Sequence, residues 1–269
     1  MRFSTICSFL AIAGWASAGP IRARQNSTDI DPGLAFIVVL EEIAVSFFEE
    51  FLEAFTDDDF EAAGFSSAIR DDIITTIASN EDDHFTVLQG LLGAPPPNCT
   101  VDFTPAFPDV ATALEVARQL DTIAVGGYIG LIANDPESDN LELFAEILAN
   151  EAQHKSMMDF SVAAQPVAHA FEMGLNPAEI LAMLLPFNPS CTPDLSITPN
   201  TPLGLSCQIL NGDDATATPL PIDQCSMQGQ SGATFIFVTT DDNAISADPL
   251  NRLSVPSICA GPALALIDS

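Results

Sequence analysis

Apolar residues recur at alternating three- and four-residue spacing through four long stretches, near 31–56, 67–92, 108–133 and 139–165. That is the period of helices with one buried stripe. The first stretch opens at Asp31-Pro32, a capping residue followed by a proline suited to the first helical position. Between the stretches lie an acidic segment at Thr56–Gly64, read as a loop, a Pro-rich connection at Gly93–Pro108, and a short turn at Asn134–Ser138. Short, long, short predicts two helical hairpins joined by a crossover, which is a four-helix bundle topology. Asn176-Pro177-Ala178-Glu179 then signals a fifth, shorter helix that stops before Pro186. From Phe187 onward Pro, Thr, Cys and Asp dominate, and Thr234–Thr240 is the one clear strand candidate. The expected fold is mainly α, with a bundle over 31–186 and a small irregular, β-containing, cysteine-bearing tail over 187–269.

Each predicted apolar stripe carries acid at mid-height. The first runs Leu34, Val38, Glu41, Val45, Phe48, Leu52, and the third Val110, Leu114, Ala117, Asp121, Ala124, Tyr128. The second runs Ile74, Ile77, Glu81, His84, Leu88, Leu91, and the fourth Phe144, Ile147, Glu151, His154, Met158. Two of the three histidines thus follow a glutamate by three positions, a spacing that aims carboxylate and imidazole at one point from one helix face. An unpaired buried carboxylate costs several kcal/mol, so four converging on one core need protons, cations or metal. The basic residues near these stripes are Arg118 and Lys155, each beside an acid rather than central, which leaves metal ions as the natural neutralising charge. Glu42 is a rival to Glu41 but lies off the stripe, and Asp121 has the alternative of an ion pair with Arg118 one turn earlier. Tyr128, two turns after Asp121 on the same face, is placed to hydrogen-bond a ligand. His169 lacks the motif and is read as surface or packing.

The chain of 269 residues carries 7 basic against 37 acidic side chains, a net charge of −30. No basic cluster is present to neutralise phosphates, which argues against nucleic acid and anionic membranes as partners. Such acidity keeps a protein soluble and gathers cations near it. The acid run at Thr56–Asp59 reads as a solvated segment. Met1-Arg2-Phe3, an apolar run from Ile6 to Trp15 and Ala16-Ser17-Ala18 make residues 1–18 a signal peptide, the run being too short to span a membrane; residues 19–30 follow as a disordered leader. Export to the medium or cell wall fits the remaining cysteines, Cys99, Cys191, Cys207, Cys225 and Cys259, an odd set that leaves one out of any internal pairing and several connectivities open. It also fits glycosylation sequons at Asn26 and Asn98.

The segments LEEIAVSFFEEFL (40–52), IASNEDDHFTVL (77–88), LDTIAVGGYIG (120–130) and ILANEAQHKSM (147–157) resemble, in order, the four metal-helix motifs of the ferritin-like superfamily. Within it they resemble the exported ferritin-like domain proteins that include desiccation-related proteins and fungal stress-response and late sexual development proteins. The resemblance covers about residues 31–185. It implies Glu41, Glu81, His84, Asp121, Glu151 and His154 as ligands of two iron or manganese ions, with zinc a competitor. Asp121 stands where the family usually has Glu, a shorter arm, and Ala44 where many relatives have a second acid. The implied chemistry is with oxygen or peroxide, oxidase or catalase-like. The alternative is a non-enzymatic stress, desiccation or developmental protein with a vestigial site. Nothing in the sequence indicates oligomeric state.

Overall fold

The computed structural model describes residues 32–187, 189–192, 206–221, 224–226, 230–239, 243–253 and 258–267. The signal peptide, the leader and Asn26 lie outside them, as do the side chains of Cys191 and Cys259. The helices are α1 (Pro32–Ala54), α2 (Asp57–Ala62), α3 (Thr75–Leu92), α4 (Val110–Asn134), α5 (Leu141–Ser161), α6 (Pro177–Leu184) and α7 (Pro249–Leu253). The long ones are α1, α3, α4 and α5. α1 packs along α3 and α4, and α4 packs along α5, as two hairpins joined by the crossover at 93–109.

Local chemistry sets where the helices stop and start. Gly93 takes a left-handed φ of 64° and its N–H bonds Gln89 O, closing α3. Asp109 caps α4 by accepting from the Thr112 N–H at 2.8 Å. Asn176 and Glu179 exchange side-chain and backbone bonds at the start of α6, the capping box expected there. α5 stops at Ser161, short of the expected 165, and Ala163 beyond it adopts a φ of 61°.

The acidic segment after α1 is not the expected loop. Asp59 accepts hydrogen bonds from the Thr56 N–H and Oγ1 at 2.8 and 2.7 Å, and the three aspartates sit at the positive end of the α2 dipole. Phe60 fixes this turn to the bundle by stacking on Phe51. Before α3 the chain winds as a π-helix over Ile69–Ile74. There Arg70 binds the end of α1, its Nε donating to Phe55 O at 2.7 Å and its Nη2 to Leu52 O at 3.1 Å. Charge-assisted bonds of this kind contribute about 1.5–3 kcal/mol. Arg70→Ala is therefore expected to lower the unfolding free energy of the metal-free protein by about that amount. A urea midpoint equal to the parent's would contradict it.

α4 is buried along most of its length, from Val110 to Leu131. One side meets α1 and α5; the other is crossed by the strand of chain leading to α6. That crossing needs glycine: the Leu175 N–H bonds Gly126 O at 2.8 Å, and a Cβ at Gly130 would lie 1.8 Å from Leu175 O. A chain of phenylalanines, among them Phe47, Phe51, Phe103 and Phe107, fills the end of the bundle under the crossover.

The remaining chain is more regular than expected. β1 (Asn98–Thr100) in the crossover pairs antiparallel with β2 (Ser190–Thr192), placing Cys99 opposite Cys191 in backbone register. β3 (Ser206–Asn211), β4 (Thr218–Pro221), β5 (Gly232–Thr239) and β6 (Ile258–Ile267) form an antiparallel sheet in the order β4-β3-β5-β6. A disulfide joins Cys207 and Cys225, and Cys99 is also in a disulfide. The sheet packs on α6 and shares one hydrophobic core with the helices, Phe235 and Phe237 lying in the same cluster as Ile180 and Leu175. Arg252 at the end of α7 joins the two parts. It is 2% exposed, bonds both Glu179 oxygens at 2.6 and 3.0 Å and Gly174 O at 2.5 Å, and lies over the Phe237 ring. No described helix is long and apolar enough to cross a membrane.

Candidate metal centre

Glu41, Glu81, Asp121, Glu151 and His154 are all under 5% exposed, although each has a charged or polar side chain. They come from the four long helices and meet halfway along the bundle, where the apolar stripes place them. His84 completes the group with a side chain 11% exposed.

The two glutamates that open the histidine motifs each face both histidines. Glu81 places Oε1 3.0 Å from His154 Nδ1 and Oε2 3.8 Å from His84 Nδ1. Glu151 does the reverse, Oε1 lying 3.0 Å from His84 Nδ1 and Oε2 3.8 Å from His154 Nδ1. The two imidazoles are nearly parallel, with centroids 6.0 Å apart. Glu41 approaches from α1, its Oε2 3.6 Å from His84 Nδ1, and Tyr128, fully buried, donates its hydroxyl to Glu41 Oε1. Ligand atoms of Glu41, Glu81, His84 and Glu151 all lie within 4.8 Å of one another. Asp121 and His154 stand beside this group of four rather than in it.

Arg118 and Lys155 pair with carboxylates outside this group, and the cation that faces the group is the His84 imidazole. Arg118 Nε binds Asp159 at 2.8 Å and its Nη1 binds Glu115 at 2.9 Å, so the ion pair with Asp121 that the sequence allowed is not made. Lys155 binds Glu172 at 3.0 Å. Burial first, then the neighbouring Glu81 charge, pushes the Glu151 and Asp121 carboxyls well above their usual range. Burial likewise carries Glu41 to about 7, against the opposing pull of His84. Glu81 goes the other way: burial works to raise it, but contacts with His154 and His84 outweigh this and hold it at about 2. Burial also opposes the His84 cation, yet Glu151, Glu41 and Glu81 around it push that imidazole up to about 12.

Five buried atoms here, Glu41 Oε2, His84 Nδ1, Asp121 Oδ2 and both Glu151 oxygens, have no hydrogen-bond partner among the described residues. The 3.0 Å approach of His84 to Glu151 lies off the line of the ring N–H and makes an ion contact only. Orphaned buried acceptors cost about 1–3 kcal/mol each, and more when charged. Oxygen and imidazole donors converging in this way are compatible with a bound metal ion.

His169, read as surface or packing, pairs with Asp213 at 3.1 Å. The sequence reading passed over Asn80, whose Nδ2 lies 3.0 Å from His154 Nε2. The signal was available: both motifs read Asn-Glu-x-x-His, at 80–84 and 150–154.

Among curated proteins no relative matches this chain. A family model described as a ferritin-like domain matches residues 29–163, from just before α1 to just past α5. Half of the chain is matched, the matched half holds the four long helices and every residue of the buried carboxylate–histidine group, and the chain accordingly belongs to the ferritin-like domain family.

Proposed function

We propose that this is an exported ferritin-like protein holding a dinuclear iron or manganese centre, with Glu41, Glu81, His84, Asp121, Glu151 and His154 as ligands. The observation that carries the reading is the set of five buried donor atoms without a hydrogen-bond partner among the described residues, none of them paired with a lysine or arginine. Glu81 and Glu151, each facing both histidines, are the residues suited to bridge two ions. Tyr128 holds Glu41 in place and supplies a buried phenol beside it. A redox metal pair bound there would supply electron transfer to or from dioxygen or peroxide. The −30 charge draws cations toward the protein. Export is supported by the leader sequence and by the disulfides at Cys207–Cys225 and Cys99; the exposed Asn98 suits a glycan.

A second reading, a stress, desiccation or developmental protein with a vestigial site, is favoured by one observation: Asp121 stands outside the convergent group of four. Metal analysis of the mature protein, secreted by its own pathway and purified without chelator, decides between them. About two iron or manganese ions per chain is the expected result. Absence of stoichiometric metal, even after anaerobic Fe(II) or Mn(II) loading, would overturn the first reading in favour of the second.

A further inference from the structure

Resting on the dinuclear reading, we propose that a narrow apolar passage between α1 and α4 leads to the centre, and that Ala44 and Ala124 set its width. It admits uncharged, apolar guests of diatomic size, dioxygen above all, and turns back peroxide and larger molecules.

A small cavity adjoins the carboxylates on the α1–α4 side of the bundle. Glu41 and Glu81, 2% and 1% exposed, are its floor, and Leu40, Ile43 and Leu120, all buried, are its walls. Ala44 of α1 and Ala124 of α4 complete the lining. Residues 40 and 44 lie one turn apart on α1, as do 120 and 124 on α4, so the two pairs follow one seam between the helices. Toward α6 that seam is shut: a Cβ at Gly127 would lie 3.1 Å from Leu40 and 3.2 Å from Ile180. Of the residues lining the cavity Ala44 alone is half-buried, which puts the mouth there.

Two properties of this lining decide what enters. Above the floor it is hydrocarbon only, so a molecule that must shed hydrogen bonds to water finds none to replace them. Peroxide, with two hydroxyl groups, is disfavoured there; dioxygen has no such bonds to lose. Small apolar cavities of this kind take apolar guests such as xenon. The second property is width. Both alanines end at Cβ, and a longer side chain at 44 would occupy the mouth. A guest that passes them arrives at Glu41, whose Oε2 is buried without a hydrogen-bond partner, and at Glu81. The passage therefore ends on two of the carboxylates assigned to the centre.

Dioxygen is paramagnetic and speeds the relaxation of methyl protons wherever it dwells, which tests the passage without metal or activity. In the metal-free full chain under dioxygen, the methyls of Leu40, Ile43 and Leu120 should relax faster than the equally buried methyls of Leu34, Leu88 and Leu114, which do not line the cavity. Xenon should shift the same three. Ala44→Leu, at a half-buried position that tolerates a longer side chain, should weaken xenon binding about 10–200-fold and abolish the relaxation difference. Ala44→Ser, which keeps the mouth open, should retain that difference. After Fe(II) loading, Ala44→Leu should hold as much iron as the parent and be oxidised more slowly by dioxygen, with its rate toward peroxide at the parent's value. Lining methyls that relax like the other three would overturn the inference, as would a relaxation difference that survives Ala44→Leu, or an Ala44→Leu that slows both oxidants equally. In each of those cases a loaded parent leaves the dinuclear reading standing. A parent that takes up no metal removes that reading, and the methyl measurements then decide the passage by themselves.

Discussion

Glu151→Gln is expected to abolish metal uptake while making the metal-free protein more stable. The two effects have one cause. Both Glu151 oxygens are buried without a hydrogen-bond partner, and burial together with Glu81 already pushes the carboxyl toward its neutral form. Glutamine keeps the shape of that neutral form and carries no charge to desolvate. The gain at neutral pH is on the order of 1–3 kcal/mol, the cost of keeping a carboxyl protonated above its ordinary range, which glutamine does not incur. For a chain of this size that is a rise in melting temperature of about 2–4 °C per kcal/mol. With metal present the order reverses, because glutamine cannot offer two anionic oxygens between the histidines and bound ions stabilise only the parent. Scanning both proteins with and without Mn(II) checks the crossing. If Glu151→Gln is the less stable of the two when both are metal-free, Glu151 has a structural partner and the argument from orphaned atoms fails.

The second large effect is an opposite dependence on pH in the two metal states. In the metal-free protein the raised groups bind protons more tightly folded than unfolded. Glu41, shifted from 4.5 to about 7, costs stability as pH climbs through that interval. His84, shifted from 6.5 to about 12, contributes stability that is complete below 6.5 and is lost progressively above it. Glu81, held at about 2, contributes stability that is complete above 4.5 and is lost as pH falls toward 2. The metal-free optimum should therefore lie near pH 4.5–5, with stability falling toward pH 8. Metal must displace the His84 proton and, at pH 7, about half a proton from Glu41, so its affinity should rise at least about tenfold per pH unit there. Loading Mn(II) into weakly buffered protein should acidify the solution by more than one proton per chain. Uptake that is flat with pH would mean that these residues are not the ligands.

The helical half of this architecture was legible because its stripes are interrupted by so few residues, and each interruption is chemically distinctive. An acid at mid-stripe on all four helices can be found by period alone, and all four prove buried. α2 was not legible: six residues with a single buried phenylalanine carry no period, and the capping by Thr56 and Asp59 is easily taken for a solvated run. The sheet was legible only at β5. β3 is buried on both faces from Ser206 to Leu210 and so lacks the alternation that marks a strand. β4 holds two prolines, which only an edge strand tolerates, and β4 is at the edge. The convergence of Glu41, Glu81, His84 and Glu151 followed from spacing, but the standing aside of Asp121 did not, because spacing gives the face of a helix and not the distance between helices.

The Arg252–Glu179 contact bears on when the protein becomes complete during its synthesis. Its partners are 73 residues apart, and at roughly 5–20 residues per second the arginine emerges some 4–15 s after the glutamate. Until then α6 carries an uncompensated acid against the bundle, a penalty of about 3–5 kcal/mol for a pair of this kind left half-made. α6 thus waits for the final fifth of the polypeptide, and the Cys207–Cys225 bridge lies within the same interval of sequence. Docking of α6 on the sheet side is in this sense a late step of folding, completed only once Arg252 has been made.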